Sequence, residues 1–190
     1  MRGGIGFLAL AAALLAGCGA GTPSLAQAPV RSYGALETRA PKIDRFAKVN
    51  DGLYRGGMPA DGQFRELRKL GIRTDVSLLG AGPASQRQVV AAEREAAEAA
   101  GLRFVNVVVP YGEPSRALID KFLQVVQDPS NQPVYVHCKH GRDRTGTMIA
   151  LYRIAVDGYT GRQALAEMET FGFDRDEYPY YAKTVLNFGL

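Results

Sequence analysis

His137-Cys138-Lys139-His140-Gly141-Arg142-Asp143-Arg144-Thr145-Gly146 is the stretch around which the rest of the chain is organised. The apolar run before it, Pro133-Val134-Tyr135-Val136, reads as a short buried strand. The run after it, Thr147-Met148-Ile149-Ala150-Leu151-Tyr152-Arg153-Ile154, reads as a helix. A loop joining a strand to a helix N-terminus aims its backbone N–H groups into a bowl, and the helix dipole adds to them. That is an anion site. Cys138 at one rim and Arg144 at the other bring a nucleophile and a bidentate clamp to the anion. Phosphoryl transfer to sulfur is the chemistry that suits this arrangement.

A free thiol titrates near pH ~8.5, but helix N-termini and nearby cations pull it to ~3.5–7.5. Cys138 would have both and is expected to be a thiolate at neutral pH. Arg144 would grip two phosphate oxygens while the amides of Lys139 to Arg144 meet the remaining charge. Thr145 can donate a hydrogen bond to the sulfur as it leaves in a second step. Gly141 and Gly146 are expected to permit the sharp turn and close approach to phosphate. His137 is read as support that orients the loop. Lys139, His140 and Arg142 are placed facing the bowl or its rim, with Arg55 as a possible addition. Such a cationic mouth favours a polyanionic phosphate, unless the charges only offset Cys138 and Asp143. Tyr54 and Tyr111 read as packing residues.

The chain has 190 residues, 46% hydrophobic and 22% charged, the balance of one folded globular domain. Its two histidines both lie in the loop, and its two cysteines are Cys18 and Cys138. No soft ligands remain for a metal site elsewhere, so neither metal nor cofactor is expected. The N-terminus reads differently. Arg2 precedes an apolar stretch, Ile5 to Ala16, too short to span a bilayer comfortably, and Leu15-Ala16-Gly17-Cys18 resembles a bacterial lipoprotein cleavage box. Residues 1–17 are therefore expected to be a signal peptide and Cys18 a lipidation site that anchors an exported protein to the cell envelope. Cleavage after Ala26-Gln27-Ala28, giving a soluble secreted form, is the alternative. Loss of residues 1–17 would take the formal charge from +4 to +3, mildly basic with no long basic run to bind nucleic acid.

Residues 18–41 are rich in Ala, Gly, Pro and Ser and read as a tether; a catalytic domain is expected over 42–190. Phe46 to Val49 and Leu53 to Arg55 flank the turn Asn50-Asp51-Gly52 as a hairpin. Helices are expected from Asp61 to Leu70, from Ser85 (as N-cap) to Ala100, from Ser115 to Gln127, from Thr160 to Phe171 and from Tyr178 to Asn187. Strands are expected at Ile72 to Leu79 and Leu102 to Val109. This alternation implies an α/β three-layer sandwich with a central, mostly parallel sheet, its ligand crevice beyond the strands' carboxyl ends.

The motif H-C-x-x-G-x-x-R-T-G resembles the signature of the cysteine-based protein-tyrosine phosphatase superfamily, in its dual-specificity branch. Residues Asn50 to Pro59, the Leu70-Gly71-Ile72 turn and Ile119 to Gly146 resemble atypical dual-specificity phosphatases of the plant-and-fungal type and their bacterial relatives. The resemblance implies a metal-free, two-step phosphatase with a phosphocysteine intermediate and water as final acceptor. It also implies an acid, usually an Asp on a loop roughly thirty residues before the cysteine. No Asp lies between Asp75 and Asp120. Glu113 is one candidate, unless it only favours the following helix N-terminus. Asp143 is the other, since Arg142-Asp143-Arg144-Thr145 is similar to loops of myotubularin-type and secreted bacterial phosphatases acting on phosphoinositides. The substrate class stays open among phosphotyrosine or phosphoserine proteins, phosphoinositides and inositol phosphates. The alternatives are a phospho-ligand-binding envelope protein without turnover and a rhodanese-like sulfur transferase.

Overall fold

The computed structural model describes residues 40–189. The expected signal peptide, Cys18 and nearly all of the tether lie outside them. Pro41 is buried and Ile43 enters the core.

Five strands form one mixed sheet in the order β1-β2-β5-β3-β4. The hairpin β1 (Ala47–Asn50) and β2 (Leu53–Gly56) is antiparallel, with Asn50 Oδ1 accepting from the Gly52 amide to close the turn. β3 (Thr74–Ser77), β4 (Arg103–Asn106) and β5 (Val134–His137) run parallel to β2. β5 lies between β2 and β3, and all four of its residues are buried, as a central parallel strand covered on both faces requires. The regular strands within 72–79 and 102–109 are shorter than expected, although Leu78, Val107 and Val109 still donate to neighbouring backbone carbonyls as the chain leaves the sheet.

The helices are α1 (Gln63–Lys69), α2 (Ala84–Ala99), α3 (Arg116–Gln127), α4 (Asp143–Ala155), α5 (Gly161–Thr170) and α6 (Pro179–Asn187). Crossovers from β2 to β3 and from β3 to β4 move outward, whereas the crossover from β4 to β5 moves back. With right-handed connections this puts α1 and α2 on one face and α3 on the other, where α4 packs beside it. α5 and α6 pack on α4. Ser115 caps α3 by accepting from the Leu118 amide, and Thr160 and Gln163 form a capping box on α5. Ser85 is not the cap of α2. Pro83 holds that position in extended conformation, because Pro favours a helix entrance and α2 has already begun at Ala84.

The largest departure is α4. It begins at Asp143 rather than Thr147, so Arg144, Thr145 and Gly146 form its first turn. Every residue from Asp143 to Arg153 is buried, with Ile149 and Leu151 in the core. A helix buried all round needs no polar face, so its start is set by packing rather than by local propensity.

Candidate active site

The loop from Cys138 to Arg142 leaves the end of β5 and enters α4, beyond the carboxyl edge of the sheet. Its carbonyls are each held from outside the bowl. Met58 N donates to Lys139 O (3.2 Å), Arg45 Nη1 to His140 O (3.1 Å) and Arg55 Nη2 to Gly141 O (2.8 Å). Further on, Gly146 N donates to Arg142 O (3.1 Å) and Thr147 Oγ1 to Asp143 O (2.9 Å). In a planar peptide the C=O and the following N–H point opposite ways. Pinning the carbonyls outward therefore turns the amides inward, which makes the anion nest.

Arg55 is not at the rim. It is 1% exposed, with its guanidinium carbon 3.8 Å from the Phe171 ring centroid, and it supports the loop from beneath. The hairpin end also shapes the bowl. Gly141 has φ +69°, and a Cβ there would lie 2.4 Å from the carbonyl carbon of Gly56, so the close approach requires glycine. Gly146 is different: a Cβ would meet nothing nearer than Met168 at 3.6 Å, an ordinary contact, since the residue is already helical.

Cys138 is 2% exposed at the floor. Burial alone would raise its pKa. Hydrogen bonds from the Thr145 hydroxyl and amide, the Arg144 charge and the Gly141 amide outweigh burial, and the thiol ends below its ordinary value. The Thr145 hydroxyl is fully buried, and the Cys138 thiolate is the acceptor that it helps to stabilise. Arg144 is 4% exposed and its Nη1 has no partner. Its Nη2 is 3.4 Å from the Tyr111 hydroxyl, and its guanidinium carbon is 4.8 Å from that ring's centroid. Tyr111 is thus no core residue. It is 58% exposed and stacks against Tyr178 at 6.1 Å, whereas Tyr54 packs inside against Phe46.

The cationic rim is smaller than expected. The Lys139 and His140 side chains are exposed, but Arg142 turns aside to Asp143 Oδ1 (2.8 Å) and Glu177 Oε2 (3.1 Å). Those two carboxylates offset its charge. Asp143 is 7% exposed and held by Arg142. Glu113 is exposed and paired with Lys183 Nζ at 2.7 Å. The two candidate acids are thus both bound to cations, and neither contacts Cys138 or Arg144 among the described contacts.

Beneath the loop lies a cluster that residue patterns did not single out. His137 Nε2 is 2.7 Å from Glu93 Oε1 on α2 and 3.2 Å from Asp75 Oδ1 on β3, and all three side chains are wholly buried. One N–H facing two carboxylates makes a well-directed hydrogen bond to neither, so the attraction is mainly between charges. Burial opposes a charge on His137, yet Asp75 and Glu93 hold its pKa well above the ordinary value. Burial in turn raises Asp75, against the pull of His137. The three ligand atoms are close enough together to suit a metal ion. A proton on His137 and such an ion would compete for the same imidazole lone pair. His137 Nδ1 is 3.4 Å from the Cys138 carbonyl, which joins the cluster to the Cys138 peptide.

A family model described as DSP-PTPase phosphatase fused to NAD+ kinase matches residues 33–180. The dual specificity protein phosphatase TpbA of Pseudomonas aeruginosa is 30% identical over 155 residues, 75% of this chain and 66% of its own length. An inositol diphosphatase of Arabidopsis thaliana is 30% identical over 125 residues, 63% of this chain and 60% of its own. The chain spans just under two thirds of the length of these curated relatives. A crystal structure of a cysteine-to-serine variant of P. aeruginosa TpbA in complex with phosphotyrosine aligns with a TM-score of 0.64 at 27% identity, covering 78% of this chain and 86% of that one. With its sheet order, its cysteine–arginine loop and a family match over most of its length, this chain belongs to the DSP-PTPase phosphatases.

Proposed function

We propose that the protein hydrolyses phosphomonoesters through a phosphocysteine intermediate. The observation that carries the proposal is a buried thiol with a lowered pKa, facing a buried arginine whose Nη1 is unpartnered. Cys138 attacks phosphorus in line, Arg144 and the inward amides hold the equatorial oxygens, and the ester oxygen leaves as the alcohol or phenol. Water then attacks the phosphocysteine, with Thr145 stabilising the departing thiolate. Lys139 and His140 stand at the entrance, the Gly141 amide faces the bowl, Arg142 holds Asp143 beside it, and His137 positions the loop.

Two substrate classes have support. TpbA was crystallised with phosphotyrosine, and other relatives carry the name inositol diphosphatase. The compensated charge of Arg142 and the exposed Tyr111 favour a phosphotyrosine-like ester, while exposed Lys139 and His140 serve a polyanionic phosphate. We also propose export with a lipid anchor at Cys18, on the strength of Leu15-Ala16-Gly17-Cys18. Replacing Cys18 with Ala should move the protein from the membrane fraction to the soluble one.

The decisive experiment is Cys138→Ser assayed with an activated aryl phosphate. Turnover should vanish while phosphate or vanadate binding persists. Wild-type turnover in the variant would refute the mechanism, and no turnover in the wild type would favour a binding protein.

A further inference from the structure

We propose that the phenol of Tyr111 is the general acid of this site. This inference rests on the phosphatase reading and deepens it.

The loop that carries Tyr111 is docked, not loose. Tyr181 Oη donates to Pro110 O at 2.8 Å, Lys183 pairs with Glu113 at 2.7 Å, and Ser115 caps the helix that follows. Tyr111 lies between these tethers, with its ring on Tyr178 and its hydroxyl on Arg144 Nη2. A phosphate gripped by Arg144 therefore occupies the same few ångströms as the Tyr111 hydroxyl. The two carboxylates are worse placed. Asp143 accepts from Arg142, and Glu113 is held on the outer surface by Lys183. Among the described residues, no carboxylate lies within ion-pair distance of Arg144.

The chemistry balances. In the first step the Cys138 thiolate forms the S–P bond, the P–O ester bond breaks, and the Tyr111 hydroxyl gives its proton to the leaving oxygen. The resulting phenolate lies against the Arg144 guanidinium. In the second step a water attacks phosphorus and loses its proton to the phenolate, and the S–P bond breaks to restore the thiolate and the phenol. A phenol is neutral through the physiological range, so it meets a phosphate dianion without the repulsion that an ionised carboxylate would suffer.

The test is Tyr111→Phe, which keeps the ring and removes the hydroxyl, alongside Asp143→Asn and Glu113→Gln. Each is assayed on dinitrophenyl phosphate, whose leaving group needs no proton, and on a phosphotyrosine peptide. Tyr111→Phe should lower kcat on the peptide about 10²- to 10⁴-fold with KM near wild type, while the pre-steady-state burst of dinitrophenolate, which reports the first step alone and needs no proton, stays near wild type. Wild-type kcat on the peptide, or a change confined to KM, would overturn the assignment, because a stacking role would move only binding. A selective loss in Asp143→Asn or Glu113→Gln instead would also overturn it. If the wild type fails on dinitrophenyl phosphate too, the phosphatase reading itself falls.

Discussion

Replacing His137 with Gln should cost the fold several kilocalories per mole and change how its stability depends on pH. His137, Asp75 and Glu93 are each fully buried, and the imidazolium is the cation that both carboxylates share. Removing one partner of a buried ion pair costs about 3–5 kcal/mol, since an uncompensated charge stays inside. For a domain of this size each kilocalorie moves Tm by about 2–4 °C, so a drop of roughly 6–20 °C is expected. The pH signature is more specific. The folded pKa of His137 lies above its unfolded value, so its contribution is fully present below about pH 6.5 and is lost as pH rises through the folded pKa. Asp75, also raised, slopes the same way but from about pH 4 upward. Wild-type stability should thus fall as pH rises above 6.5, and the part of that slope supplied by His137 should be missing from His137→Gln, which keeps the carboxylate slope that begins near pH 4. Urea denaturation followed by circular dichroism at intervals between pH 5 and pH 9 measures both quantities. Adding Glu93→Gln to the variant removes one of the orphaned charges and should recover much of the loss. If His137→Gln stays within about 1 kcal/mol of wild type and keeps its slope, the cluster is not a buried ion network.

Two further predictions concern the loop. Thr145→Val removes a hydroxyl that lowers the Cys138 pKa, so the pH midpoint of Cys138 alkylation by iodoacetamide should rise towards that of a free thiol, ~8.5; an unchanged midpoint would remove Thr145 from the site. Gly141→Ala forces a side chain into left-handed backbone and against Gly56 at 2.4 Å, so the loop must shift. Restoring an ordinary contact of 3.4 Å moves the loop by about 1 Å, which should lower kcat on aryl phosphates about 100-fold or more; near-wild-type turnover would show that the contact between loop and hairpin is not needed.

The loop was legible in the sequence because its chemistry is local: Cys138, Gly141, Arg144 and Thr145 act within eight residues, and their spacing alone sets who faces whom. The order of strands and helices was legible for a similar reason, since each turn carries its own glycine, proline or cap. What stayed hidden depends on distant partners. Asp75 is a polar residue in a strand, and nothing nearby shows that it opposes Tyr135 in register and reaches His137. Arg55 looks like a surface cation until Gly141, 86 positions on, and Phe171 are placed around it. Tyr111 reads as packing because its partners, Arg144 and Tyr178, come from two later helix entrances. The start of α4 was misplaced by four residues, because Gly146 and two threonines weaken helix propensity where tertiary burial overrides it.

These distant partners share one effect, which is to order the bowl before any substrate arrives. Arg45, Arg55 and the Met58 amide hold three successive carbonyls outward, and His137 lies against the Cys138 carbonyl from below. Each of these groups comes from outside the loop: Arg55 from β2, His137 from β5, and Arg45 and Met58 from the segments flanking the hairpin. An amide nest free to rotate would lose much of its binding energy to ordering entropy, at about 1–2 kcal/mol for each residue fixed. Here that ordering occurs when the protein folds, so electrostatic stabilisation is ready where charge develops. The stability of the hairpin and the reactivity of Cys138 are therefore coupled. A substitution at Arg55, which never touches substrate, should impair turnover through the loop it supports.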